Sequence, residues 1–139
     1  MGNKGLFIAD EMFYFRVYND ILKDDFGLEV EEATLADEGL EACRRRKFDL
    51  ILMRDVVAPG SLPLPFALTN MAYPRVARHL IREIKRDSLN RETPLIAMVN
   101  SQGEYVRPEH YKEAGAIVYE SFARGLEGFS DLVRSCLKK

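Results

Sequence analysis

A chain of 139 residues, 47% hydrophobic and 30% charged, has the composition of an ordinary soluble globular protein and is long enough for one domain with a real core. With 20 basic and 22 acidic residues the net charge is −2, which argues against general binding to nucleic acid or to an anionic membrane, since both need a basic excess. No charged, apolar leader opens the chain and no apolar stretch reaches the length of a membrane span, so a cytoplasmic protein is expected.

Apolar runs alternate with helical periods along the chain, the pattern of a parallel α/β sheet. The first strand is predicted over Lys4 to Ala9. A helix follows from about Met12 to Asp25, with Phe13, Val17 and Ile21 on one stripe and Gly27 as its stop. Leu28 to Ala33 alternates apolar and acidic residues and reads as a less buried strand near an edge. Thr34 or Asp37 caps the next helix, which carries Leu40 and Cys43 inward. That helix ends in Arg44-Arg45-Arg46-Lys47, a solvated basic run favoured by the negative end of the helix dipole. Phe48 to Met53 is continuously apolar, hence a central strand covered on both faces.

The stretch from Gly60 to Pro74 holds Pro63, Pro65 and Pro74 and no charge, so an irregular insertion or lid is expected at about 60–75. Its Leu62, Leu64, Phe66, Leu68 and Met71 form either a partner-binding patch or additional core. Val76 to Asp87 returns to helix with Val76, Leu80 and Ile84 in line. Pro94 to Val99 is a buried strand, Pro108 to Ala114 a short helix, and Ala116 to Tyr119 a fifth strand. Leu126, Phe129, Val133 and Cys136, at spacings of three, four and three, mark a closing amphipathic helix. Five strands thus alternate with five helices in one domain spanning 1–139. Cys43 and Cys136 are too few and too far apart for a disulfide framework or metal knuckle and read as buried helix thiols. His79 and His110 have no ligand-spaced partners and read as surface helix residues.

Chemistry concentrates where two apolar runs end in carboxylates. The first leads into Asp10-Glu11; the second leads into Asp55, with Pro59-Gly60 four residues on. If the two runs are neighbouring parallel strands, three carboxylates meet at the carboxyl edge of one sheet, where open α/β sheets bind ligands. Such a set suits a hard divalent cation such as Mg²⁺, and one of the acids can act as a nucleophile toward a phosphoryl group. The register at the second run has two readings. Counting forward from Asp49 puts Arg54 at the acceptor position, and counting back from Pro59 puts Asp55 there. Successive strand residues point to opposite faces. Asp55 is preferred on chemical grounds, with a one-residue bulge reconciling the counts.

These residues resemble the receiver domain of two-component response regulators over nearly the whole chain. The likeness is carried by Asp10-Glu11 after the first strand, Gly39-Leu40-Glu41-Ala42 in the second helix, and Phe48-Asp49-Leu50-Ile51-Leu52 leading to Asp55 and Pro59-Gly60. Thr93-Pro94 before the fourth strand and Ala114-Gly115-Ala116 running into the fifth complete it. The resemblance implies a flavodoxin-like, doubly wound five-stranded parallel sheet of order 2-1-3-4-5 with five helices, here with a Pro-rich insertion after strand three. It implies phosphorelay signalling with Asp55 as phosphoacceptor and Mg²⁺ held by Asp10, Glu11, Asp55 and the Val57 backbone carbonyl. The phosphate would come from a sensor histidine kinase or phosphotransfer protein. No output domain follows the fifth helix, so the effector is expected to be a separate protein, and no enzymatic activity is expected.

The chain departs from the family pattern at two positions. Where the family places Thr or Ser after strand four, the count gives Val99 or Asn100, with Ser101 one residue further; Asn100 can donate through its amide and Val99 cannot. Where the family places Lys-Pro after strand five, the chain has Phe122-Ala123, leaving Arg124 or Arg54 as substitute cations. Tyr119 matches the family's switch aromatic. Two readings follow: an atypical phosphorylatable receiver, and a phosphorylation-independent pseudo-receiver that binds a partner constitutively. A small enzyme on the same fold is disfavoured by the absence of a Gly-rich phosphate loop after strand one.

Overall fold

The computed structural model describes residues 3–9, 16–55, 57–62, 73–99 and 107–137, without the side chains of 73–74 and 121–124. Its elements run β1 (Lys4–Ile8), α1 (Arg16–Asp24), β2 (Glu29–Ala33), α2 (Ala36–Arg45), β3 (Leu50–Arg54), α3 (Tyr73–Arg86), β4 (Leu95–Val99), α4 (Pro108–Ala114), β5 (Ile117–Glu120) and α5 (Ser121–Leu137). The strands form one sheet of order β2-β1-β3-β4-β5, every neighbouring pair parallel. This is the predicted doubly wound topology. No helix among the described residues is long and apolar enough to cross a membrane.

The period-two alternation of strand side chains builds two cores from continuously apolar strands. Leu6, Ile8, Ile51, Met53, Leu95, Ala97 and Val99 face one side, packed by α2, α3 and α4. Phe7, Leu50, Leu52, Ile96 and Met98 face the other, packed by α1 and α5. Strands β1, β3 and β4 are buried on both faces, whereas the edge strand β2 shows only Ala33 fully buried, as its acidic alternation predicts. Gly39 lets α2 approach β1 closely: a Cβ there would sit 2.7 Å from Ile8 Cδ1.

The amino end of the sheet is tied by a buried polar cluster. Asn90 accepts the Phe48 amide at 2.7 Å through Oδ1 and donates through Nδ2 to the Cys43 and Arg46 carbonyls at 2.8 Å each. The Thr93 hydroxyl lies 2.9 Å from Asn90 Oδ1 and 3.1 Å from the Phe48 carbonyl, its one proton serving either. Asn90 thereby has a partner within reach at each of its four hydrogen-bonding positions while fully buried.

Several local expectations are corrected. In α1 the buried face is Tyr18, Asn19 and Leu22, while Val17 is 42% exposed and Ile21 half-buried; Phe13 lies outside the described residues. The helix docks its aromatic against Tyr119 and Phe129 rather than its β-branched stripe, because three rings in edge-to-face contact bury more apolar surface. Neither Thr34 nor Asp37 is the N-cap of α2. Leu35 holds that place without a side-chain bond, and Glu38 Oε1 accepts the amides of Thr34 and Leu35 at 3.0 and 3.2 Å. Helix α3 begins at Tyr73, so Pro74 sits in its first turn, where a missing N–H costs nothing, rather than in the insertion. The register through β3 is unbroken, from Leu50 to Met53 against β1 and from Ile51 to Arg54 against β4, with no bulge. Leu126 is 46% exposed and not in the buried stripe of α5, because Gly125 (φ +71°, ψ −177°) breaks the helix just before it. Phe129, Val133 and Cys136 do face the core, and Cys43 and Cys136 are free and buried. Leu62 joins the core as well; Leu64, Phe66, Leu68 and Met71 lie outside the described residues.

Candidate functional site

The carboxyl edge of the sheet is where β1, β3 and β4 end together, with Ile8 beside Met53 and Arg54 beside Met98. Asp55 follows the last residue of β3. Its amide donates to the Met98 carbonyl at 3.1 Å, extending the β3–β4 pairing by one residue. Its side chain is fully buried, with the Arg54 Nε 4.0 Å from Oδ1 and the Arg54 side chain 21% exposed. A buried carboxylate needs a cation or strong donors to remain charged. Arg54, one of the two substitute cations read from the sequence, therefore stands at this carboxylate.

Tyr111 of α4 reaches the same residue from another element. Its hydroxyl donates to the backbone carbonyl of Asp55 at 2.7 Å, and the residue is fully buried. Burial pushes the Tyr111 phenol above its usual range, the Asp55 charge adds to this, and Arg78 opposes it. Arg78 of α3 in turn contacts Nδ1 of His110, next to Tyr111. Nothing in the sequence singled out Tyr111 beyond its being the one phenol in the polar segment Pro-Glu-His-Tyr-Lys-Glu-Ala.

The chain after Asp55 is held against α2. The amides of Ala36 and Asp37 donate to the Ala58 and Pro59 carbonyls at 2.9 and 3.2 Å. Asp37 Oδ2 accepts the Ser61 hydroxyl at 2.7 Å and the Ser61 amide at 3.0 Å, and these donors hold the Asp37 carboxyl below the usual range. Val57, just before these tethers, is fully buried.

Of the residues singled out from sequence, Asp55 and Val57 lie within a few residues at the end of β3. Asp10, Glu11, Asn100 and Ser101 lie outside the described residues, and Arg124 belongs to α5 without a described side chain. Tyr119 belongs to the opposite face of the sheet: it is fully buried between Tyr18 and Phe129, and its hydroxyl donates to the Gly125 carbonyl. Among the described residues no three His, Cys, Asp or Glu side chains come together as a metal group. What the described part does offer, the Asp55 carboxylate and the nearby Val57 carbonyl, are hard oxygen donors of the type Mg²⁺ takes.

No protein-family model matches the chain, and no curated protein matches it. Solved structures do. A two-component response regulator from Clostridium difficile superposes with a TM-score of 0.71 at 16% identity, covering 99% of this chain and 97% of that one. The chemotaxis response regulator CheY4 of Vibrio cholerae gives 0.70 at 17% identity, covering 99% and 100%. The receiver domain of a sensor histidine kinase from Pseudomonas aeruginosa, described with a magnesium ion coordinated in its active-site cleft, gives 0.66 at 20% identity, covering 98% and 95%. The chain has the fold of response-regulator receiver domains.

Proposed function

We propose that the chain is an atypical receiver in a two-component phosphorelay, with Asp55 as phosphoacceptor. The observation that carries this reading is the fully buried Asp55 carboxyl at the carboxyl end of the central strand of a 2-1-3-4-5 sheet, with an arginine 4.0 Å away. A carboxylate oxygen of Asp55 forms the new O–P bond as the N–P bond of a donor phosphohistidine breaks, the electron pair staying with the imidazole. The donor is a sensor histidine kinase or phosphotransfer protein, and the output is contact with an effector protein.

Asp10, Glu11, Asp55 and the Val57 carbonyl would hold Mg²⁺, the ion named for the Pseudomonas receiver. Bound there, it offsets the charge that an anionic nucleophile and an anionic phosphoryl group bring together. Arg54 supplies a further positive charge where the family uses lysine, with Arg124 as the alternative, and Asn100 or Ser101 contacts the phosphoryl oxygens. These roles rest on the resemblance and on the position of Asp55.

Incubation with acetyl phosphate and Mg²⁺, followed by intact mass, tests this reading. The wild type is expected to gain one phosphoryl group and Asp55→Asn none. A wild type that neither gains phosphate nor binds beryllofluoride with Mg²⁺ would sink it and leave a phosphorylation-independent interaction module.

A further inference from the structure

We propose that Tyr111 is a positioning residue for Asp55, its hydroxyl holding the peptide of the acceptor and tying the state of that residue to α4. The inference rests on Asp55 being the phosphoacceptor. Strand β3 ends at Arg54, and the Asp55 amide makes its bond to Met98 on one side. The carbonyl of the same residue is taken by a phenol 56 positions away in the chain. With both ends of the residue held, the backbone that aims the carboxylate is fixed by β4 and by α4 together.

The hydrogen bond is not interchangeable with one to water. Tyr111 is fully buried, so its hydroxyl can change partner only if α4 or the Asp55 peptide moves. The phenol O–H is the donor in this bond, since a carbonyl oxygen can only accept. Arg78 reaches from α3 to His110 beside it, so α3 and α4 meet at the same corner. A phosphoryl group on Asp55 adds negative charge and bulk where the peptide is held. The displaced carbonyl then pulls on the hydroxyl of a helix that packs on α3 and on β5.

The test uses the full chain labelled with ring-¹³C tyrosine, in which Tyr111, one of 6 tyrosines, is identified by the resonance lost in Tyr111→Phe. Thr93→Val, which removes a buried hydroxyl at the far end of the sheet, is the control for general loosening. The Tyr111 resonance is expected to shift in Asp55→Asn and again when wild type takes up beryllofluoride with Mg²⁺. Phosphorylation of Tyr111→Phe by acetyl phosphate is expected to be three- to tenfold slower than wild type, with Thr93→Val within twofold. A resonance that ignores both changes, or a Tyr111→Phe rate equal to that of Thr93→Val, overturns the positioning role while phosphorylation of wild type stands. Wild type that takes no phosphate at all overturns the acceptor reading itself, a different and separable result.

Discussion

The two ends of this sheet handle buried polarity in opposite ways. At the amino end, Asn90 and Thr93 form a neutral cluster in which every hydrogen-bonding position of Asn90 faces a backbone group or the Thr93 hydroxyl. At the carboxyl end, Asp55 buries a charge, with an arginine at 4.0 Å and a tyrosine bonded not to the carboxylate but to its backbone. Neutral, fully satisfied groups are inert joints whose worth is mechanical. A buried carboxylate is costly to keep and is retained where its charge is used. The contrast separates the part of the molecule that holds α2, β3 and β4 together from the part that can do chemistry.

The largest effect expected from breaking the contrast is at Asn90. Asn90→Ala strips partners from the Phe48 amide and from two carbonyls in a fully buried place and should cost about 3–5 kcal/mol in chemical denaturation. The folded fraction should still phosphorylate at the wild-type rate. A loss of phosphorylation without a loss of stability would dissolve the distinction between the ends.

A second test is alkaline titration of the amino end. Cys43, whose carbonyl Asn90 binds, has its thiol pushed by burial from 9.0 to about 12. The neutral thiol is favoured in the fold, so its contribution is complete below pH 9 and is lost as pH climbs from 9 toward 12. Stability should fall by about 1.4 kcal/mol per pH unit in that window relative to Cys43→Ala. Parallel curves for the two proteins between pH 9 and 10.5 would show that the site is not as dry as its burial implies.

The smallest expected effect lies at the carboxyl end and has the opposite sign. Asp55→Asn removes a buried charge while keeping size and shape, and Arg54 retains access to water. Thermal unfolding should show stability raised by about 1 kcal/mol, even as phosphate uptake is abolished. A clear fall would mean that Asp55 serves the fold as Asn90 does.

The strands were legible because a run such as Leu50-Ile51-Leu52-Met53 has one solution, burial on both faces. The helix faces were less so. Several apolar residues compete for the inward face of α1, and the choice of Tyr18 and Leu22 over Val17 depends on Tyr119 and Phe129, which are distant in sequence. The exposure of Leu126 turned on the left-handed backbone of one glycine, which periodicity does not register. The bulge expected in β3 supposes that Arg54 and Asp55 are rivals for one pocket position. The unbroken ladder shows instead a strand that ends at Arg54 with the carboxylate just beyond it.

By itself, then, the sequence determined the order and type of the elements, the two-sided burial of the central strands and the acidic residue at the end of β3. Those follow from local pattern, since alternation and apolar run length are properties of neighbouring residues. Tertiary structure alone decided that Tyr111 rather than Tyr119 meets Asp55 and that Asn90 closes the other end. Each of these joins residues whose meeting is set by how helices dock on the sheet, and that docking is chosen by the whole core at once.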